Sequence, residues 1–272
     1  MTLALDIGAT NIRIAEVNGT TIRRKQKVKH AAKKSDILNL ILKLISEYEK
    51  PKSICVATAG FEKSGKIQGA LNMDFNDVPL RKILEKKFRV PVHIQNDARC
   101  AGLAELYYGS GKKAKNFVLL TLGTGIGGAI IIDRKLYLGN GTAGEVGSMI
   151  FDDDLFEHLA SGSAATNFAK KEGLKIKNSY ELEKLAQKNN RKAIAIYEKV
   201  GKYLGKGIVN LSYALSPEMF IIGGGFSEVE YIFPSARKFF SENYKIDPKP
   251  KIVKAKFGDD AGLIGAGLLE KI

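Results

Sequence analysis

The sequence predicts an α/β protein built from two related halves, and three observations support this. Apolar segments with strand periodicity alternate with amphipathic segments of helical periodicity along the chain. Residues 3–17 (LALDIGATNIRIAEV) have the pattern strand, Gly turn, strand, and residues 117–139 (FVLLTLGTGIGGAIIIDRKLYLG) repeat it. A third Gly turn, at 223–227, also follows an apolar run. The repeated design indicates two lobes of similar construction.

The remaining elements follow in order from periodicity, caps and turn residues. In the first half, the predicted strands after the hairpin span 20–29, 53–60 and 90–95. The predicted helices there span 36–49, capped by Ser35 or Asp36, then 79–88, and a helix to about 108 that begins at Asn96 and Asp97. In the second half, helices are expected at 152–171, 179–188, 191–215, 231–241 and from 260, with strands at 219–227 and 251–256.

Composition limits the classes of function. The chain has 272 residues, 44% of them hydrophobic, and a net charge of +14 from 43 Lys and Arg residues. The basic residues lie in short runs without interleaved aromatic side chains, so we expect a lysine-rich solvated surface and no nucleic-acid partner. A positive field also favours anionic substrates such as ATP. Nucleic-acid binding through the basic surface is the less favoured alternative.

Location and redox state also follow from composition. No apolar run reaches the ~20 residues of a membrane span, and the N-terminus lacks the basic start of a signal peptide. We therefore expect a cytoplasmic protein without a membrane partner. Cys55 and Cys100 lie in apolar runs outside any C-x-x-C pair, so buried free thiols are expected rather than a disulfide framework.

Three Gly-rich turns are candidates for phosphate binding: DIGATN (6–11), LGTGIGG (122–128) and GGGFS (223–227). Glycine lets backbone N–H groups approach phosphate oxygens closely, and Thr10, Asn11 and Thr124 offer further donors. None of the turns matches the P-loop or the dinucleotide fingerprint in its usual context. One such turn alone is typical of an ordinary hairpin, whereas three in one chain favour a nucleotide site.

Acidic residues beside these turns are the candidates for chemistry. Asp6 precedes the first turn, where a carboxylate is suited to holding Mg²⁺ through water, and turn capping is the alternative. Asn96 and Asp97 follow a strand and begin a helix, which is also what an ordinary N-cap does. At a helix N-terminus Asp97 stays ionised, so it is the best candidate for a base that accepts a hydroxyl proton. Asn96 would hydrogen-bond neighbouring hydroxyls.

Two further carboxylates lie in the second half. Glu145 is the single acid in the Gly-dense loop GNGTAGEVGS (139–148), which suggests a backbone shaped around a ligand. Glu157 lies near the start of a predicted helix, and from its local sequence alone we expect a solvated residue.

The chain resembles the ROK family (repressors, open reading frames and sugar kinases), and the resemblance covers nearly the whole chain. It rests on these segments in this order: DIGATN, NDARCAGLAE (96–105), LGTGIGGAI (122–130), GTAGEVG (141–147), LFEHLASG (155–162) and IIGGGFS (221–227). The resemblance implies a two-lobed actin-like (ribonuclease H-like) fold with residues 1–112 in the N-terminal lobe and 113–259 in the C-terminal lobe. Helix 260–272 would return to the N-terminal lobe.

The resemblance also implies a role for each matching residue. Asp97 corresponds to the catalytic base, and Asn96, Glu145 and Glu157 correspond to sugar-binding residues. The phosphate and adenosine contacts fall on Gly8, Ala9, Thr10, Asn11, Gly123, Thr124, Gly125, Gly127, Gly224 and Gly225.

The sequence departs from the family pattern in two places. The His that follows the family's G-E-I-G segment is Ser148 here, so a contact to one sugar hydroxyl is altered and glucose is in doubt as the substrate. The family's Cys-rich zinc loop is replaced by MIFDDDLF at 149–156, so no zinc site is expected.

Together these features predict a kinase that uses ATP and Mg²⁺ to phosphorylate a hydroxyl of a hexose or N-acetylhexosamine. The resemblance implies a homo-oligomer, either a dimer or a tetramer, and we expect a dimer. The principal alternative is a non-catalytic sensor of sugar or nucleotide. A repressor of the family is less favoured, because the first Gly turn begins at residue 6 and no helix-turn-helix precedes it. A kinase of the same fold acting on another acceptor, such as acetate or a glycerol-type alcohol, is the remaining alternative.

Overall fold

The computed structural model describes residues 2–30, 33–70 and 73–272. Its strands are β1 (Thr2–Ile7), β2 (Asn11–Asn18), β3 (Thr21–Lys29), β4 (Ser53–Thr58), β5 (Phe61–Lys63), β6 (Lys66–Gln68), β7 (Val92–Asn96), β8 (Phe117–Leu122), β9 (Ile126–Ile132), β10 (Lys135–Leu136), β11 (Ile150–Phe151), β12 (Asp154–Leu155), β13 (Met219–Gly223) and β14 (Lys251–Lys254). Its α-helices are α1 (Lys34–Ser46), α2 (Leu80–Phe88), α3 (Asp97–Tyr108), α4 (Phe156–Ala160), α5 (Gly162–Lys171), α6 (Ser179–Gln187), α7 (Arg191–Leu215), α8 (Ile232–Asn243) and α9 (Ala261–Ala266).

The chain divides into two compact units. Unit 1 comprises Met1–Gly109 and Asp259–Ile272, and unit 2 comprises Ser110–Gly258. No helix among the described residues combines the length and apolar character that crossing a membrane requires.

Unit 1 is organised around a five-stranded sheet in the order β3-β2-β1-β4-β7, in which β1, β4 and β7 are parallel and β2 is antiparallel to both β1 and β3. Side chains of β1 alternate between its two faces. Leu3, Leu5 and Ile7 pack with α1 and α2 on one face. The small Ala4 contributes to the other face, which packs with α3 and α9.

Small residues bring α9 very close to α3. A Cβ at Gly265 would lie 1.7 Å from the Cys100 carbonyl oxygen, so the two helix backbones nearly touch. Both Cys55 and Cys100 are buried free thiols in this layer, as the sequence predicts. Burial raises the pKa of the Cys55 thiol to about 12.

Unit 2 repeats the sheet design of unit 1. Its five strands are ordered β10-β9-β8-β13-β14, with β8 and β9 antiparallel and β13 parallel to both β8 and β14. The two predicted strand-turn-strand hairpins are thus confirmed, each lying in the same place within its sheet. The 25-residue helix α7 packs on α8 through Gly201 and Gly205, where added Cβ atoms would lie 2.1 Å from the Ile232 carbonyl and 2.7 Å from the Ala236 carbonyl.

Three local predictions are wrong. The helix predicted over 260–272 is the short α9 (Ala261–Ala266), which is followed by a separate 3₁₀ turn at Leu269–Lys271. The helix predicted over 152–171 is two helices, because Asp152 and Asp153 have positive φ angles and Ser161 is extended. Ser161 Oγ accepts a hydrogen bond from Ala164 N (3.1 Å) and thereby caps α5. The helix predicted over 36–49 spans Lys34–Ser46, so neither Ser35 nor Asp36 caps it.

Candidate active site

The first Gly turn connects β1 to β2 in unit 1. Gly8 N donates to the Asn11 carbonyl (3.0 Å), which closes the turn, while Ala9 and Thr10 are exposed. His30, at the end of β3, contacts the turn twice: its backbone N donates to the Thr10 carbonyl (3.1 Å) and its Nε2 lies 2.8 Å from the Gly8 carbonyl. Since a carbonyl only accepts, Nε2 must carry the proton. His30 was not among the predicted residues.

Asp6 lies at the end of β1, almost completely buried. Its Oδ2 accepts a hydrogen bond from Arg13 Nη1 (2.9 Å), and Arg13 Nη2 lies 3.1 Å from Asp259 Oδ2. Helix α9 covers the carboxylate so closely that a Cβ at Gly262 would be 2.9 Å from Oδ2. Burial raises the pKa of Asp6 above its ordinary value of 3.8, although the Arg13 guanidinium acts in the opposite direction.

Arg13 was missed, although the hairpin pattern contains the signal. The register of β1 and β2 pairs Asp6 directly with Arg13. Because Ile7 pairs with Ile12, four residues (8–11) connect the last pair, and this spacing places Asp6 opposite Arg13. The buried ion pair therefore follows from the same strand-turn-strand pattern that predicted the turn.

Asn96 and Asp97 lie where β7 becomes α3. Asn96 Oδ1 accepts from Arg99 N (3.1 Å), so Asn96 is the N-cap, and its Nδ2 donates to the Gly60 carbonyl (3.0 Å). Asp97 is half-buried, and its Oδ1 accepts from Ala98 N (2.8 Å). The capping alternative for Asn96 is therefore correct, and Asp97 is left as the carboxylate at the helix N-terminus.

Parallel strands β1, β4 and β7 bring the unit 1 candidates to one edge of the sheet. Their carboxyl ends meet at the same edge, which is where ligands bind in open α/β sheets. Asp6 lies at the end of β1 and Asn96 ends β7, so the structure collects the predicted unit 1 residues at that edge.

The second Gly turn connects β8 to β9 in unit 2, and Glu157 lies against it. Ile126 N donates to Glu157 Oε2 (3.3 Å), and a Cβ at Gly125 would be 2.1 Å from that oxygen. Gly123 faces open space, with no atom within 4 Å of an added Cβ. The expectation that Glu157 is an ordinary solvated helix residue is wrong, because its half-buried carboxylate supports this turn.

The loop carrying Glu145 and Ser148 packs on β9 beside the same turn. A Cβ at Gly128 would be 2.6 Å from the Gly144 carbonyl, and a Cβ at Gly147 would be 2.3 Å from the Ile126 carbonyl and 3.5 Å from Glu157 Cβ. Glu145 and Ser148 are exposed, and Ser148 N donates to the Glu145 carbonyl (3.2 Å). Glu145, Ser148 and Glu157 therefore belong to one neighbourhood of unit 2.

The third Gly turn packs on the end of β8. Gly224 has φ +84, and a Cβ there would be 2.3 Å from the Leu122 carbonyl, so only glycine fits. Gly225 faces open space. Two of the three Gly turns thus meet within unit 2.

A cavity of about 490 Å³ opens between these two turns, α5 and α6. Of the predicted residues, Gly123, Thr124 and Gly225 line it, whereas Gly125, Gly127, Gly224, Glu145, Ser148 and Glu157 do not. Its volume is in the range of small-molecule and cofactor sites. The helical lining, which includes Asn167, Lys170 and Tyr180, was not predicted.

A model described as the ROK family matches residues 2–271. The chain belongs to the ROK family. An N-acetylmannosamine kinase of Haemophilus influenzae (strain PittGG) is 31% identical over 285 residues, covering 97% of this chain and 93% of that protein.

Solved structures of ROK proteins have the same fold. A ROK family glucokinase from Streptomyces griseus in complex with glucose and AMPPNP has a TM-score of 0.88 and 26% identity, covering 100% of this chain and 99% of that chain. A ROK family transcriptional regulator, a homologue of the E. coli MLC protein, also has a TM-score of 0.88. It is 22% identical and covers 99% of this chain and 77% of its own, so this likeness shows the fold alone. The predicted actin-like fold is confirmed.

Proposed function

We propose that this ROK protein is a sugar kinase that transfers the γ-phosphoryl group of ATP to a hydroxyl of a hexose or N-acetylhexosamine. The observation that carries the proposal is the 490 Å³ cavity bounded by two Gly turns, with Gly123, Thr124 and Gly225 in its wall. Backbone N–H groups of such turns suit phosphate oxygens. The relatives support the same class, since one is an N-acetylmannosamine kinase and another is a glucokinase with a bound ATP analogue.

In this proposal Asp97 is the catalytic base. Its carboxylate lies at the N-terminus of α3, where the helix dipole favours the anion, and Ala98 N holds Oδ1 in place (2.8 Å). Asp97 accepts the proton of the sugar hydroxyl as that oxygen bonds to the γ-phosphorus and the bond from phosphorus to the leaving oxygen of ADP breaks.

The sugar contacts are assigned to Asn96, Glu145, Ser148 and Glu157. Asn96 has one amide hydrogen beyond the bond to Gly60 O that it can donate to a hydroxyl. Glu145 and Ser148 are exposed at the surface of their loop, where they can reach a ligand. Ser148 is the residue we expect to determine which sugar is accepted, because a hydroxyl replaces an imidazole there.

Asp6 is proposed to hold Mg²⁺ through water, which requires its ionised carboxylate, the form that Arg13 favours and burial opposes. Mg²⁺ usually keeps several waters and binds through one or two carboxylates plus the phosphates of the nucleotide, so a single carboxylate suffices. Arg13 occupies Oδ2 of Asp6 and fixes its orientation. When bound, the ion neutralises charge on the phosphate groups.

The test measures ADP release with ATP and Mg²⁺ against glucose, fructose, mannose, galactose, N-acetylglucosamine and N-acetylmannosamine. Asp97→Asn is expected to reduce kcat by at least about 100-fold, the usual contribution of a general base. Asp36→Asn is the matched control, since Asp36 is also an acid in the first turn of a helix of unit 1. If Asp97→Asn retains wild-type kcat, the assigned mechanism is wrong.

A non-catalytic sensor is the second candidate, favoured by Ser148 in place of the family's His. It predicts no turnover of any sugar in the same assay, together with an increase in Tm when a sugar or ATP is added. Turnover of one sugar that depends on Asp97 would exclude it.

A further inference from the structure

A second cavity of about 520 Å³ adjoins the first in unit 2. It is lined by Lys170 at the end of α5, by the connecting segment 173–177 and by Glu181 of α6. Lys170 and Lys177 line both cavities. The two spaces therefore share a wall of positive charge.

Three of the residues that line the second cavity are lysines: Lys170, Lys175 and Lys177. None of them forms a salt bridge with a carboxylate among the residues that the structure describes. The single lining carboxylate, Glu181, uses Oε2 to accept from Lys177 N (2.8 Å). The cavity therefore has an excess of cationic donors whose natural counterpart is a multiply charged anion.

The segment that presents these lysines is anchored. Gly173 N donates to the Lys170 carbonyl (3.0 Å), and Leu174 N donates to the Ala169 carbonyl (2.9 Å). Ile176, between Lys175 and Lys177, is buried in the core of unit 2. A backbone held in this way reduces the entropy lost when the side chains engage a ligand.

The position of the second cavity indicates which part of a nucleotide it would meet. The first cavity is lined by the Gly turn residues Gly123 and Thr124, whereas the second contains neither. The two cavities join at Lys170 and Lys177. A nucleotide with its 5′-phosphates on the Gly turn has room to extend its nucleoside end toward the shared lysines.

We propose that the second cavity is an anion subsite for a phosphate group on the ribose of an adenine nucleotide. Nucleotides that carry a 3′-phosphate on the ribose in addition to the 5′-phosphate therefore bind more tightly than those with 5′-phosphates alone. The inference rests on the proposed nucleotide role of the first cavity. Lys175 lines only the second cavity, so it contacts the additional phosphate and not the remainder of the nucleotide.

The experiment compares the binding of AMP and adenosine 3′,5′-bisphosphate to the full-length protein by titration calorimetry at low ionic strength. Exposed ion pairs are individually weak, so three ammonium groups together should make the bisphosphate about fivefold tighter. Lys175→Ala should lower that ratio about twofold without changing the Kd of AMP. Lys171→Ala is the control, because Lys171 carries the same charge on α5 and lines neither cavity.

Each result decides between distinct conclusions. Equal Kd values for AMP and the bisphosphate, or a ratio that Lys175→Ala leaves unchanged, would overturn the subsite alone. Failure of AMP and ATP to bind the wild type would overturn the nucleotide role of the first cavity and the subsite with it. Tripolyphosphate is the third probe: if it binds in a Lys175-dependent manner while the bisphosphate gains nothing over AMP, the lysines bind an inorganic chain and the nucleotide proposal is wrong.

Discussion

The carboxylate of Glu157 lies directly on Gly125, so that a Cβ at position 125 would be 2.1 Å from Oε2. The same oxygen accepts a hydrogen bond from Ile126 N (3.3 Å). The second Gly turn and the proposed sugar-binding carboxylate thus constrain one another, and neither can change without moving the other.

Gly125→Ala is therefore expected to displace the Glu157 carboxylate and break its bond to Ile126 N. Losing one hydrogen bond costs about 1 kcal/mol of unfolding free energy, and displacing a substrate contact should raise the KM for the sugar roughly tenfold. Urea denaturation and sugar-dependent ADP release measure the two effects. Gly123→Ala is the stability control, since its Cβ enters open space and should leave the unfolding free energy unchanged.

A double-mutant cycle identifies the cause. If the clash with Glu157 is responsible, Gly125→Ala should cost no stability in a Glu157→Ala background. An equal cost in both backgrounds would show that the alanine meets another part of unit 2 and would remove Glu157 from the explanation.

His30 provides the second prediction, because its Nε2–H bond to the Gly8 carbonyl (2.8 Å) holds the first Gly turn. His30→Leu should raise the KM for ATP roughly fivefold, the equivalent of one hydrogen bond of about 1 kcal/mol, with little change in kcat. His30→Gln keeps an N–H donor and should restore most of the affinity.

The control for His30 is His158→Leu, since His158 is exposed in unit 2 and bonds Asp154 (2.8 Å). The KM of His158→Leu for ATP should equal that of the wild type. A fall in kcat with an unchanged KM for ATP in His30→Leu would mean that the turn acts in the chemical step and not in nucleotide binding.

The two hairpins and their Gly turns could be predicted from the sequence because alternation of apolar residues and turn glycines are local signals. The ion pair of Asp6 and Arg13 follows from the same local register, since the turn length determines which residues face each other. The first Gly turn and the Asn96–Asp97 pair lie at one sheet edge because the parallel order of β1, β4 and β7 places their carboxyl ends together.

The helical wall of the cavity could not be predicted in this way. Asn167, Lys170 and Tyr180 are ordinary exposed polar positions on α5 and α6, and they converge only because those helices pack together. The break at Ser161 could not be predicted either. The sequence keeps helical periodicity across this residue, although Ser161 is extended, ends α4 and caps α5. Contacts that form only through tertiary packing produce no periodic pattern in the local sequence.

Asp6 provides the last prediction, on the pH dependence of stability. Burial raises the pKa of Asp6 above 3.8, so above that pH the folded chain keeps a proton that the unfolded chain has released. The unfolding free energy of the wild type relative to Asp6→Asn should therefore fall as the pH rises from about 4, by at most about 1.4 kcal/mol per pH unit. Asp259→Asn is the comparison. Partial burial raises the pKa of Asp259, but Arg13 and Lys27 lower it further, so the net pKa lies below the ordinary value of 3.8. The stability that the Asp259 carboxylate contributes is therefore lost only below about pH 3.8, and the difference in unfolding free energy between the wild type and Asp259→Asn should stay flat from pH 4.5 to 7. Urea denaturation of the three proteins across this range measures both slopes. A wild-type advantage over Asp6→Asn that grows with pH would show that the Arg13 ion pair outweighs burial and that Asp6 is ionised throughout.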